Sequence, residues 1–113
     1  MDEGSSAANM ELTPREVRER LTSRNDILFV DVRERWEYET SRIEGSILIP
    51  LREIPGNLSR LRAGREIVLF CHHGIRSLDA AAWLREQGVD GAWSMAGGID
   101  GWSAEIDSSV PRY

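Results

Sequence analysis

Two uninterrupted apolar runs, Ile27-Leu28-Phe29-Val30 and Ile67-Val68-Leu69-Phe70, dominate the hydrophobic pattern of the chain. Apolarity that is continuous rather than alternating predicts strands buried on both faces, as in a parallel sheet covered by helices. The first run ends at Asp31, after which the chain turns charged through Arg33, Glu34, Arg35 and Glu37. Ile47-Leu48-Ile49 predicts a short strand stopped by Pro50, and Ala92-Trp93-Ser94-Met95 a final one. Helical signals lie between them. Thr13-Pro14-Arg15-Glu16 supplies a capping threonine, a proline in the first turn and a glutamate three residues after the cap, which predicts a helix from Pro14 to Leu21. Leu51, Ile54, Leu58 and Leu61 recur at three- and four-residue steps, so helical turns are expected there despite Pro55 and Gly56. The alanine-rich stretch from Ser77 to Arg85 predicts a helix stopped by Gly88, and Ile99 to Glu105 a short helix after a tight Gly97-Gly98 turn. Strands alternating with helices define an α/β class: a three-layer, mostly parallel small sheet flanked by helices.

At 113 residues the chain fits one domain. Residues 11–107 carry the pattern. Residues 1–10, polar and rich in small side chains, read as a disordered lead, and 108–113 as a C-terminal tail. A net charge of −5 argues against nucleic-acid binding, which needs a basic face. No apolar run approaches the ~20 residues that span a bilayer. The N-terminus has no basic region followed by an apolar stretch, as a secretory signal would. The expectation is therefore a cytoplasmic protein with no nucleic-acid or membrane partner.

Both Asp31 and Cys71 fall at the carboxyl ends of predicted strands, where open α/β sheets bind ligands. The segment Cys71-His72-His73-Gly74-Ile75-Arg76-Ser77 joins the second apolar strand to a helix. A thiol attacks only as its thiolate. A helix N-terminus offers unpaired N–H groups and the positive end of the macrodipole, both of which favour an anion. Gly74 lets the loop curl so that successive amides point inward. Arg76 adds a permanent cation, and Ser77 is a good N-cap. Cys71 is the one cysteine, so no internal disulfide forms and a reactive thiolate is the expected role. His72 and His73 are adjacent on one loop, with no other His or Cys to complete a set of converging ligands, so no metal or other cofactor is expected. They are read as side chains facing the substrate mouth. Trp36, Trp83, Trp93 and Trp102 are read as core and rim packing.

Three segments resemble the rhodanese-like sulfurtransferases. They are Phe29-Val30-Asp31-Val32-Arg33-Glu34 with Glu37-Tyr38 and Ile43-Glu44-Gly45-Ser46-Ile47-Leu48-Ile49-Pro50; the loop from Cys71 to Ser77; and Gly97-Gly98-Ile99 with Trp102. They occur in the family's order over about Leu12 to Glu105. Where the family often carries Gly-His before the isoleucine of the first segment, this chain has Ser41-Arg42. In the family that position is understood as structural.

The resemblance implies sulfur transfer through a Cys71 persulfide, from thiosulfate or a persulfide donor to a thiol, protein or cyanide acceptor. Loop amides from His72 to Ser77 would hold the outer sulfur, Arg76 would steady the loop and attract the donor, and Asp31 would brace the loop through its amides or Arg76. Two alternatives stand beside it. A non-catalytic rhodanese-like interaction module tends to lack the nucleophile. A phosphatase or arsenate-reductase-like enzyme of the Cys-Arg type places five residues between Cys and Arg, where this chain has four.

Overall fold

The computed structural model describes residues 10–62 and 65–113; most of the proposed N-terminal lead lies outside them. Strand β1 (Glu11–Leu12) leads into helix α1 (Pro14–Ser23), which is followed by β2 (Ile27–Asp31), α2 (Arg35–Thr40) and β3 (Ile47–Leu48). Two 3-10 turns (Leu51–Glu53 and Pro55–Asn57) run into the short α3 (Leu58–Leu61). Then come β4 (Glu66–Phe70), α4 (Ile75–Glu86), β5 (Ala92–Met95) and α5 (Gly98–Glu105). The five strands form one sheet in the order β1-β5-β4-β2-β3, and every pairing is parallel.

The apolar runs form the middle of this sheet because both of their faces are covered. Ile67 and Leu69 of β4 join Val30, Leu61, Ala81 and Leu84 in one core, beneath α3 and α4. Val68 and Phe70 point the other way, into a second core with Phe29, Val17, Met95, Ile99 and Trp102, beneath α1 and α5. Successive residues of a strand face opposite sides, so a strand between two helical layers must be apolar at every position. At roughly 1.5–3 kcal/mol for each large side chain removed from water, these two cores hold the sheet.

Helix α1 starts as its sequence dictates: the Glu16 amide donates to Thr13 Oγ1 and the Thr13 amide to Glu16 Oε1. It runs two residues beyond the predicted end. Two elements have no counterpart in the sequence reading. Strand β1 is only two residues long, pairing Glu11 with Ser94 and Leu12 with Met95. Met10, assigned to the lead, already belongs to the fold, since its carbonyl accepts from the Ser94 amide at 2.7 Å. Helix α2 is the other; its one buried residue is the carboxylate Glu37.

The chain after α5 packs against the body. Val110 is buried, Ser103 Oγ donates to its carbonyl, and Ser41 Oγ donates to the Pro111 carbonyl at 2.6 Å. This tail brings Tyr113 back over the carboxyl end of the sheet.

Candidate active site

Strands β2 and β4 are neighbours with Asp31 opposite Phe70, so Asp31 and Cys71 emerge side by side at the carboxyl edge. Cys71 directly follows β4 and is 1% exposed. Its Sγ accepts from the Gly74 amide at 3.1 Å and the Ser77 amide at 3.4 Å, and lies 3.5 Å from Ser77 Oγ. Gly74 makes this curl possible. Its φ of 110° lies in the left-handed region that side-chain-bearing residues avoid, and a Cβ there would crowd the Gly97 amide. Helix α4 begins at Ile75 with Gly74 as its N-cap. Ser77 is therefore not the cap that the sequence reading made it. It sits two residues further on, in the first turn, where its amide still lacks a helical acceptor and turns to sulfur. The amides of Ile75 and Arg76, two and one residues earlier, equally have no carbonyl four residues back within the helix.

A second helix end fixes the loop from behind. The Ile99 amide donates to the Cys71 carbonyl at 2.8 Å and the Asp100 amide to the His72 carbonyl at 3.2 Å. Those two bonds hold the start of the loop against α5 while the Gly74 and Ser77 amides face the sulfur. Gly98 permits the approach: any Cβ there would overlap the Cys71 and His72 carbonyl oxygens. Behind the sulfur, Ser77 Oγ lies 2.7 Å from Ser94 Oγ, and both hydroxyls are buried.

Asp31 does not touch the loop amides or Arg76. Its carboxylate is taken by Arg33, whose Nε and Nη2 donate at 2.8 and 2.7 Å. This pair is wholly buried. Such burial is tolerable because Arg33 also donates to the carbonyls of Ser41 and Glu37 and to the Tyr113 hydroxyl. Burial works against the Arg33 cation, and the bonds to Asp31 and Tyr113 outweigh it. Ser41, the departure from the family pattern, thus serves the core: its carbonyl takes Arg33 and its hydroxyl takes the tail.

The residue that grips Arg76 is Glu37, which the sequence reading did not single out. Arg76 Nη1 and Nη2 donate to its two carboxylate oxygens at 2.8 and 2.9 Å. The Glu34 amide and the Tyr113 hydroxyl complete the shell at 2.9 and 2.7 Å. Burial alone would raise the Glu37 pKa, but the bonds from Arg76, Glu34 and Tyr113 bring it down to about 2. The same bonds to Glu37 raise Arg76. Arg76 is therefore a strut paired through both Nη atoms with a carboxylate rather than a free cation. Tyr113 links both pairs, accepting from Arg33 and donating to Glu37, and its burial pushes its hydroxyl up to about 12.

At the mouth, the His72 ring is stacked between Tyr113 and His73, each 4.0 Å away between ring centroids. Burial, and then His73, push the His72 imidazole below its ordinary pKa. The fold also delivers a third polar group that the loop sequence does not display: Asp100 of α5, with Oδ2 4.0 Å from His73 Nε2. Ile75 and Trp36 are the exposed large apolar side chains on the loop and on α2. Of the other tryptophans, Trp102 is buried, and Trp83 and Trp93 pack partly buried against the two cores.

Residues 13–105 match the model of the rhodanese-like domain. The chain belongs to that family. A probable adenylyltransferase/sulfurtransferase MoeZ of Mycobacterium tuberculosis is 32% identical over 114 residues, covering 99% of this chain. The chain spans 29% of that relative's length. Thiosulfate sulfurtransferase GlpE of Pseudoalteromonas translucida is 30% identical, with 81% of this chain and 88% of the relative covered. The human single-domain sulfurtransferase TSTD1 superposes with a TM-score of 0.73 at 28% identity, covering 85% of this chain and 96% of that one. The rhodanese-like domain of this protein is a five-stranded parallel sheet flanked by helices, the architecture it shares with that neighbour. No helix among the described residues is long and apolar enough to cross a membrane.

Proposed function

We propose that this protein carries sulfane sulfur as a persulfide on Cys71, taking it from thiosulfate or another persulfide donor and passing it to a thiol or cyanide. One observation carries the reading: the only thiol of the chain lies just past the carboxyl end of the central strand with backbone N–H groups of its own loop turned onto its sulfur. Such donors favour a thiolate and, one bond further out, an anionic terminal sulfur.

In the first step the Cys71 thiolate attacks the outer sulfur of thiosulfate. A new sulfur–sulfur bond forms, the original one breaks, and its electron pair leaves with sulfite. The outer sulfur then carries the negative charge, within reach of the unpaired Ile75 and Arg76 amides. In the second step the acceptor nucleophile attacks that sulfur, and the electron pair returns to Cys71 Sγ as thiolate. Arg76 holds the loop through Glu37, while Asp31 and Arg33 support the same network from the β2 edge. Ser77, backed by Ser94, steadies the sulfur from below. A reducing compartment such as the cytoplasm would supply the thiol, since the chain has no second cysteine to resolve the persulfide itself.

The test is intact mass spectrometry after incubation with thiosulfate. The protein gains one sulfur atom, cyanide removes it, and Cys71→Ser gains none. Turnover of an aryl phosphate without sulfur uptake would favour the phosphatase alternative, and neither reaction would favour an interaction module.

A further inference from the structure

We propose that His72, His73 and Asp100 form a binding site for a borderline divalent cation such as Zn2+ at the mouth of the Cys71 loop. One ligand atom from each of the three residues lies within 4.8 Å of the others. These are two imidazoles and a carboxylate, a donor set that suits zinc and its neighbours. A tetrahedral ion with bonds near 2.1 Å needs its donors about 3.4 Å apart, so the set must tighten somewhat. The His72 and His73 rings lie face to face, 20° apart, so their lone pairs run side by side, and His73, 62% exposed on its side chain, must leave the stack to aim at a shared ion. The Asp100 backbone is already tied to the loop, its N–H donating to the His72 carbonyl.

A second observation points to a ligand independently. His72 Nε2 is sealed from solvent and has no hydrogen-bond partner, although the ring is held on both faces by Tyr113 and His73. An orphaned buried nitrogen is destabilising, and a metal bond would remove that cost. Asp100 at present accepts from Arg112 Nε and Nη2 at 2.9 and 3.0 Å. Arg112 is 58% exposed, and exposed pairs of this kind are weak. The guanidinium competes with the ion for the Asp100 carboxylate and must swing to solvent when the ion arrives. Three protein ligands leave a fourth position open to water or an anion, beside the residue that follows the nucleophile.

The experiment is calorimetric titration of Zn2+ into Cys71→Ser, where the lone thiol cannot serve as a ligand, after circular dichroism has checked its fold. Wild-type protein alkylated at Cys71 serves as the second substrate for the titration. One ion binds per chain, and His73→Ala or Asp100→Asn in the same background weakens it by about tenfold or more. Arg112→Ala tightens binding by about two- to five-fold, because Asp100 is released from its competitor. Absence of binding in both thiol-free proteins, or binding indifferent to His73→Ala and Asp100→Asn, overturns the assignment. The readout is independent of sulfur transfer, so it stands or falls separately from the proposed activity.

Discussion

Replacing Glu37 by Gln removes one charge from the network that joins Arg76 to the body, with little change of shape. The Glu37 side chain is 5% exposed, and its pKa falls from the ordinary 4.5 to about 2. At 1.36 kcal/mol per pH unit this is worth about 3 kcal/mol of stability at pH 7. Arg76, 35% exposed, can partly turn to water once unpaired, so a measured loss of about 2–3 kcal/mol is expected. For a domain of this size that lowers Tm by roughly 8–12 °C. The carboxylate's pKa is depressed by folding. Its contribution is therefore present above the unfolded value of 4.5 and fades as pH falls toward 2. Urea unfolding of both proteins at pH 7, 4.5 and 3 reads this directly. The gap between wild type and Glu37→Gln should shrink by more than half between pH 7 and pH 3. A gap that stays constant with pH, or one below about 0.5 kcal/mol at pH 7, would refute the view that an ionised Glu37 anchors the loop.

Ser94→Ala strips Ser77 of its partner at 2.7 Å beneath the sulfur. It should cost about 1 kcal/mol in urea unfolding and slow the uptake of sulfur from thiosulfate measured by mass. Tyr113→Phe keeps the ring stack on His72 but leaves Arg33 Nη1 and Glu37 Oε2 each one bond short. Its expected cost is about 1–2 kcal/mol, and an unchanged Tm would count against the tail as part of the network. Gly98→Ala drives a methyl into the Cys71 and His72 carbonyls at a φ of 60°. A loss of about 3 kcal/mol or more, or failure to fold, is expected from circular dichroism melting, and near-wild-type stability would disprove the close approach.

The central strands could be read from the sequence because two-sided burial writes itself as unbroken apolarity. The loop was equally legible: a thiol, a glycine and a helix start within seven residues act on one another locally. Helix α2 was not, because its buried residue is a carboxylate, and an apolar periodicity cannot register it. For the same reason Glu37 was missed as the partner of Arg76, 39 residues away. The one available signal was charge, since an acid in so charged a stretch is a candidate mate for the loop arginine. Asp31 was assigned to the loop by its strand-end position, but Arg33, two residues on, reaches it first. The Asp100 contact to the histidines and the return of Tyr113 depend on how α5 and the tail are laid down, and nothing in the local sequence encodes that.

The all-parallel sheet has a kinetic consequence. With no hairpin anywhere in it, each strand pairing must close a loop containing a helix or helical turns, down to the join of Glu11 with Ser94 across most of the chain. Contacts so distant in sequence slow folding, and they come late. Glu37 and Arg33 meet Arg76 and Tyr113 only once both halves have docked. A chain cut between Asn57 and Glu66 would leave β2 and β4 each with a bare edge. Such fragments should aggregate when made separately, and sulfur-carrying capacity should appear only when they are refolded together.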